Sequence, residues 1–107
     1  MNRDKHMKSL ETKYVQEKVL SEDFQASWQH ITFVLIWFEE HYGINPKVSV
    51  LTQGAITDFF SWIKRDLGYS ARTQLSISTA LRDFLRFAHE RGYLGHDLTE
   101  CIPVINA

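Results

Sequence analysis

The chain lacks most of what marks an exported, membrane-borne or catalytic protein. A single cysteine, Cys101, excludes an intrachain disulfide and points to a reducing, cytoplasmic setting. The opening segment, Met1 to His6, is charged and carries no apolar signal core. The densest apolar run, Ile31 to Phe38, is far too short for a membrane span and is followed by Glu39 and Glu40. No low-complexity tract or internal repeat is present, and no segment alternates as a strand does.

Sites of common chemistry are also missing. The five histidines, His6, His30, His41, His89 and His96, show neither i, i+4 pairing nor the Cys/His spacing of a zinc site. The five glycines stand singly, and four of them punctuate helix ends, so no phosphate loop exists. No Ser-His-acid order stands out. Glu39 and Glu40 are paired carboxylates, but at a helix C-terminus they read as a solvated turn. Cys101 beside Ile102 reads as a buried small apolar residue. The expectation is no catalytic residue, metal, cofactor or small-molecule substrate.

An excess of positive charge is lacking too. The net charge is −1, whereas nucleic-acid-binding domains are commonly basic. The distribution is uneven. Residues 1–19 hold five Lys/Arg and three acids, residues 20–46 hold four acids and no Lys or Arg, and residues 70–91 hold four Arg and two acids. One acidic and two mildly basic regions are concealed in the sum.

What is present is a rich apolar pattern of helical period. Hydrophobic residues make up 44% of the 107 positions, enough for one domain with one core. Residues 1–20 are polar, with Leu10, Tyr14 and Val15 at helical spacing, and read as a charged arm or short helix. Residues 21–107 form the main helical unit. Its first helix is expected from about Asp23 to Tyr42, with a stripe of Phe24, Trp28, Ile31, Leu35, Phe38 and Tyr42. Phe33 and Trp37 form a second stripe, so this helix is expected to be central. Gly43 and Asn45-Pro46 end it. An extended connector, Lys47 to Leu51, leads to a helix from Gln53 to Leu67, capped by Thr52. Its stripe is Ile56, Phe59, Phe60, Ile63 and Leu67, and Trp62 lies about 120° away.

The next helix, started by Ser70 or Thr73 and ended by Gly92, has two distinct faces. Ile77, Leu81, Phe84, Leu85 and Ala88 are apolar, and the opposite face carries Arg72, Thr79, Arg82 and Arg86. Arginine and hydroxyl side chains beside a helix N-terminus suit phosphate oxygens. The same arginines are equally compatible with solvent, or with pairing to Asp83, Glu90 or the acidic first helix. Asp97 or Thr99 starts a last short turn, which Pro103 stops. The fold class is therefore all-α, a compact bundle of about four helices.

The order Thr52 to Gly68, then Ser70-x-x-Thr73, Leu81-Arg82-x-Phe84-x-x-Phe87, Gly92-Tyr93, Asp97-Leu98 and Pro103 resembles the N-terminal core-binding domain of tyrosine recombinases and phage integrases, a SAM-like helical domain. The resemblance covers about residues 21–103. It implies a bacterial or phage-derived DNA-binding domain that helps a separate catalytic domain clamp duplex DNA. It implies duplex DNA and other protomers of the same recombinase as partners, and location on the nucleoid when bound. Ser70 and Thr73 would start the DNA-facing helix, and Arg82 matches the family's Leu-Arg step. Arg72, Thr79 and Arg86 extend that set by helical geometry. The family's nucleophilic tyrosine is expected beyond this chain, so Tyr14, Tyr42, Tyr69 and Tyr93 are not cast in that role. The alternative is a helical protein-interaction or oligomerisation module, for which the acidic, aromatic-rich first helix and the charged segment 1–20 speak.

Overall fold

The computed structural model describes residues 5–106; residues 1–4, the start of the segment expected as arm or helix, and Ala107 lie outside it. Four α-helices follow in order: α1 (Met7–Lys18), α2 (Phe24–Tyr42), α3 (Gln53–Arg65) and α4 (Ala71–Glu90). Two 3-10 turns, Val48–Val50 and Leu98–Cys101, flank the second half. Among the described residues there is no strand, only an isolated antiparallel bridge between His6 and Lys47. The chain is an all-α bundle, and its radius of gyration, 13.2 Å, matches the roughly 13 Å of a single globule of this size.

α3 and α4 begin on a side-chain cap, whereas α1 and α2 begin at His6 and Asp23 without a side-chain cap hydrogen bond. Thr52 Oγ1 accepts from the Ala55 amide at 3.1 Å, and Ser70 Oγ accepts from the Thr73 amide at 3.2 Å. Each bond satisfies one of the first-turn N–H groups that the helix itself leaves unpaired. Of the two candidates at the start of α4, Ser70 is the cap and Thr73 lies inside the first turn. Gly92, at φ 81°, lets the chain leave α4 in the left-handed region while the Tyr93 amide donates to the Ala88 carbonyl at 2.8 Å. The helix expected to reach Leu67 stops at Arg65, and Leu67 is exposed. The Leu67 amide still reaches back to the Trp62 carbonyl at 3.2 Å before Gly68 turns the chain.

α4 is the hub. It packs against α1, α2, α3 and the last 3-10 turn, and all five residues of its expected apolar face are buried. Sequence periodicity points to α2 as the central helix; instead α2 packs along α4 and meets α3 through an aromatic seam. Phe33 stacks on Trp62 at 5.8 Å and on Tyr69 at 6.0 Å, and Trp37 meets Phe59 edge-on at 5.5 Å. The second stripe of α2 and the off-stripe Trp62 therefore serve one another. Tyr42, at the far end of the first stripe, is exposed.

α1 belongs to the core. Met7, Leu10 and Tyr14 are buried, and the segment is tied at its start by Met7 N–H to the Pro46 carbonyl (2.8 Å) and Val48 N–H to the Lys5 carbonyl (2.7 Å). Its far end is held by Arg91, whose guanidinium grips Glu17 through both carboxylate oxygens and lies 4.9 Å over the Phe87 ring. Between them Glu11 comes to lie where burial, and then the Glu39 carboxylate, push its own carboxyl upward.

Candidate functional site

The outward side of α4 follows from the helical period. With Ile77, Leu81, Phe84, Leu85 and Ala88 turned inward, Arg72, Leu75, Thr79 and Arg86 are left outside. Arg72 and Arg86 are fourteen residues apart, which places their Cα atoms about 21 Å apart along the helix. Both are exposed; Arg82, on the edge of the face, is half-buried.

None of Arg72, Arg82 and Arg86 lies within ion-pair distance of a carboxylate among the described residues. The acids that the sequence offers as partners are engaged elsewhere or solvated. Asp83 accepts a hydrogen bond from the Tyr14 hydroxyl at 2.6 Å, and Glu90 is exposed. Arg91, the fourth arginine of this stretch, is the one in an ion pair, with Glu17. Asp97 accepts from the Thr99 amide at 2.9 Å and the Thr99 hydroxyl at 2.7 Å, which hold its carboxyl below the usual range; His89 and Arg86 add smaller pulls in the same direction.

The hydroxyls differ in what they can still do. Ser70 Oγ donates to Thr73 Oγ1 at 3.2 Å, so its hydrogen is used within the turn. Thr79 Oγ1 donates to the Leu75 carbonyl at 3.0 Å and would have to rotate to donate outward. Thr73 Oγ1 is an acceptor in its pair and keeps its own hydrogen for an external oxygen. Of the six residues singled out from sequence, Arg72, Thr79 and Arg86 share the exposed face of α4. Arg82 borders it, and Ser70 and Thr73 form its N-terminal cap.

The two flanks of this face carry opposite charge. On one side Thr79 and Asp83 border a groove of about 320 Å³ shared with Tyr14, Lys18 and Asp23. Two carboxylates make that flank unfavourable for a polyanion. On the other side Ala71 and Gln74 border a groove of about 430 Å³ shared with Ser61 and Lys64 of α3. Lys64 was not singled out from sequence. The signal for it was the Lys64-Arg65 pair in the last turn of α3, six residues before α4 begins.

The described residues contain no group of three or more His, Cys, Asp or Glu side chains arranged to hold a metal ion. Among the described residues no helix is long and apolar enough to cross a membrane. Cys101 is half-buried rather than buried, because it sits at the end of a 3-10 turn beside the groove formed with Tyr93 and His96. Comparison with protein-family models, curated proteins and solved structures matches none of them.

Proposed function

We propose that this chain is a DNA-binding domain that holds duplex DNA through the outward face of α4, as the core-binding domain of a tyrosine recombinase or integrase does. One observation carries the reading. Arg72 and Arg86 stand about 21 Å apart on one exposed helix face, with Arg82 at its edge, and among the described residues no carboxylate pairs with any of the three. Arginine satisfied by a neighbouring carboxylate is a structural device; arginine left without one, in a row, matches a row of phosphates. The contact would orient DNA without reading its sequence. No cleavage chemistry is assigned to these residues. Tyr14 in particular is buried, donates to Asp83 and is pushed to a higher pKa, the reverse of an activated nucleophile.

The near-neutral charge of the chain makes weak, salt-sensitive binding the expected behaviour. Fluorescence anisotropy with a labelled duplex, followed across a salt titration, tests it. Each phosphate contact removed should lessen the slope of log K against log salt by about 0.9. Arg72→Ala and Arg86→Ala should each weaken binding and flatten that slope. No binding at low salt, or binding indifferent to all three arginine substitutions, would refute the assignment.

The alternative, a protein-interaction module, draws on exposed apolar side chains: Leu20 at 96%, Val104 at 90% and Ile44 at 89% exposure. They lie on two different connections and the C-terminal segment, however, and scattered apolar residues are ordinary on a protein surface. Self-association without DNA, seen by sedimentation, would favour that reading.

A further inference from the structure

We infer that the groove between α3, the first turn of α4 and the C-terminal segment is a phosphate-binding site continuous with the arginine face, with Lys64 as its anchor. The inference rests on the duplex-DNA reading for the source of the phosphate, and on the groove itself for the chemistry. The groove has a volume of about 430 Å³. Phe60 and residues 103–105 give it an apolar side, while Ser61, Lys64 and Asn106 bring donors to it; Gln74 also lines it, with its Nε2 already donating to the Tyr69 carbonyl at 2.9 Å. Lys64 is exposed and has no ion-pair partner among the described residues.

Charge separates this groove from its neighbours. Asp58 and Asp66 line the one beside Trp37 and Trp62, Asp97 lines the one beside Cys101, Glu11 the one beside Trp28, and Asp23 with Asp83 the one beside Tyr14. Counting the described residues, the Lys64 groove alone among these five has a cation and no carboxylate side chain in its wall. An anion entering it meets one full positive charge and neutral donors, and no carboxylate side chain among the described lining residues.

Position supports the same occupant. Ala71 and Gln74 lie on the flank of α4 that adjoins Leu75 and Arg82, so the groove opens beside the arginine face, opposite the Asp23–Asp83 flank. A polyanion laid on α4 is repelled from the α1–α2 side and drawn toward α3. Its backbone would run from Arg86 past Arg82 to Lys64. This gives the acidic α2 a place away from the nucleic acid. It also explains how a chain of net charge −1 can offer one usable cationic track.

The test uses the whole chain in two arms. In the first, amide NMR shifts are followed as sodium phosphate is added, with sodium chloride of equal ionic strength as control. Phosphate-specific shifts at Ser61, Ala71 and Gln74 are expected in the wild type and in Lys64→Arg, and their loss in Lys64→Gln. In the second, duplex binding is measured across salt for Lys64→Gln and Arg86→Ala. Lys64→Gln should weaken binding on the order of fivefold to tenfold and flatten the salt slope by about 0.9. If Lys64→Gln keeps the wild-type slope while Arg86→Ala weakens binding, the groove proposal fails and the α4 reading stands. Phosphate shifts without any duplex binding overturn the DNA reading and leave the groove a site for free phosphate. Absence of both overturns the groove as well.

Discussion

Tyr14 of α1 donates its phenolic hydrogen to Asp83 Oδ2 of α4 at 2.6 Å, across 69 positions of sequence. The ring is buried and meets Phe84 and Phe87 edge-on at 5.1 and 5.2 Å. One bond therefore does two things. It fastens the N-terminal helix to the hub, and it occupies the carboxylate nearest in sequence to Arg82 and Arg86.

Tyr14→Phe keeps the aromatic packing and removes the bond. A hydrogen bond to a charged group contributes about 1.5–3 kcal/mol, so urea unfolding should show a loss in that range, at its lower end because Asp83 is only half-buried. A pH dependence accompanies it. Burial, then the bond to Asp83 and its charge, raise the phenol above its ordinary value of 10. A raised pKa gives stability that is fully present below pH 10 and lost as the pH climbs toward the folded value. Wild-type unfolding curves should weaken above pH 10, and the Tyr14→Phe curves should weaken less steeply.

Deletion of residues 1–18 should abolish cooperative folding. Met7 and Leu10 each contribute about 1.5–3 kcal/mol by burial, and Tyr14 adds its ring and its bond. Their joint loss rivals the roughly 5–15 kcal/mol that holds a small domain together. Thermal unfolding of the truncated chain should lack a sharp transition; a sharp one near the wild-type midpoint would show α1 to be dispensable.

Ser70→Ala and Thr52→Ala should each cost about 1 kcal/mol, a fall in Tm of roughly 4–8 °C. Ser70→Asp should keep the stability, since its carboxylate can accept from the same amide and also faces the positive end of the α4 dipole. It should nonetheless weaken DNA binding by placing a negative charge beside Arg72. Calorimetry and anisotropy on the same variant separate the two effects.

Arg91 lowers the Glu17 carboxyl by direct hydrogen bonding, with smaller coulombic help from Arg91, Lys13 and Lys18 against an opposing desolvation effect. A depressed carboxyl gives stability that is present above its unfolded value of 4.5 and lost as the pH falls through the folded value. Glu17→Gln should therefore flatten the acid side of the stability profile. High salt should weaken the same contribution, because the pair is at the surface.

Arg86→Ala should leave stability within about 0.5 kcal/mol of wild type, as an exposed side chain with no ion pair among the described residues does. Arg82→Ala should cost more, because the half-buried stem of Arg82 covers part of the bundle. Chemical denaturation of both variants tells whether a change in DNA binding comes from lost charge or from a loosened fold.

The helices α3 and α4 and their caps were legible in the sequence because their causes are local. The stripe from Ile77 to Ala88 repeats at the helical period, Thr52 and Ser70 stand where first-turn amides need acceptors, and Gly92 stands where the backbone turns left-handed. The ends were less legible. Leu67 continues the α3 pattern, yet the helix has already closed at Arg65. The role of α1 was hidden, because Met7, Leu10 and Tyr14 are too few to form a strong stripe within a charged segment.

Sequence alone determined that the chain is all-α, that α4 has an apolar and a cationic side, and where that helix begins and ends; periodicity and capping act over a few residues. Tertiary structure decided which charges are left to meet a partner. The pairing of Tyr14 with Asp83, of Glu17 with Arg91, and the placing of Lys64 beside Ala71 depend on how helices pack. Electrostatic partnership is set by distance through space, and in this bundle the deciding distances join residues that the chain holds far apart.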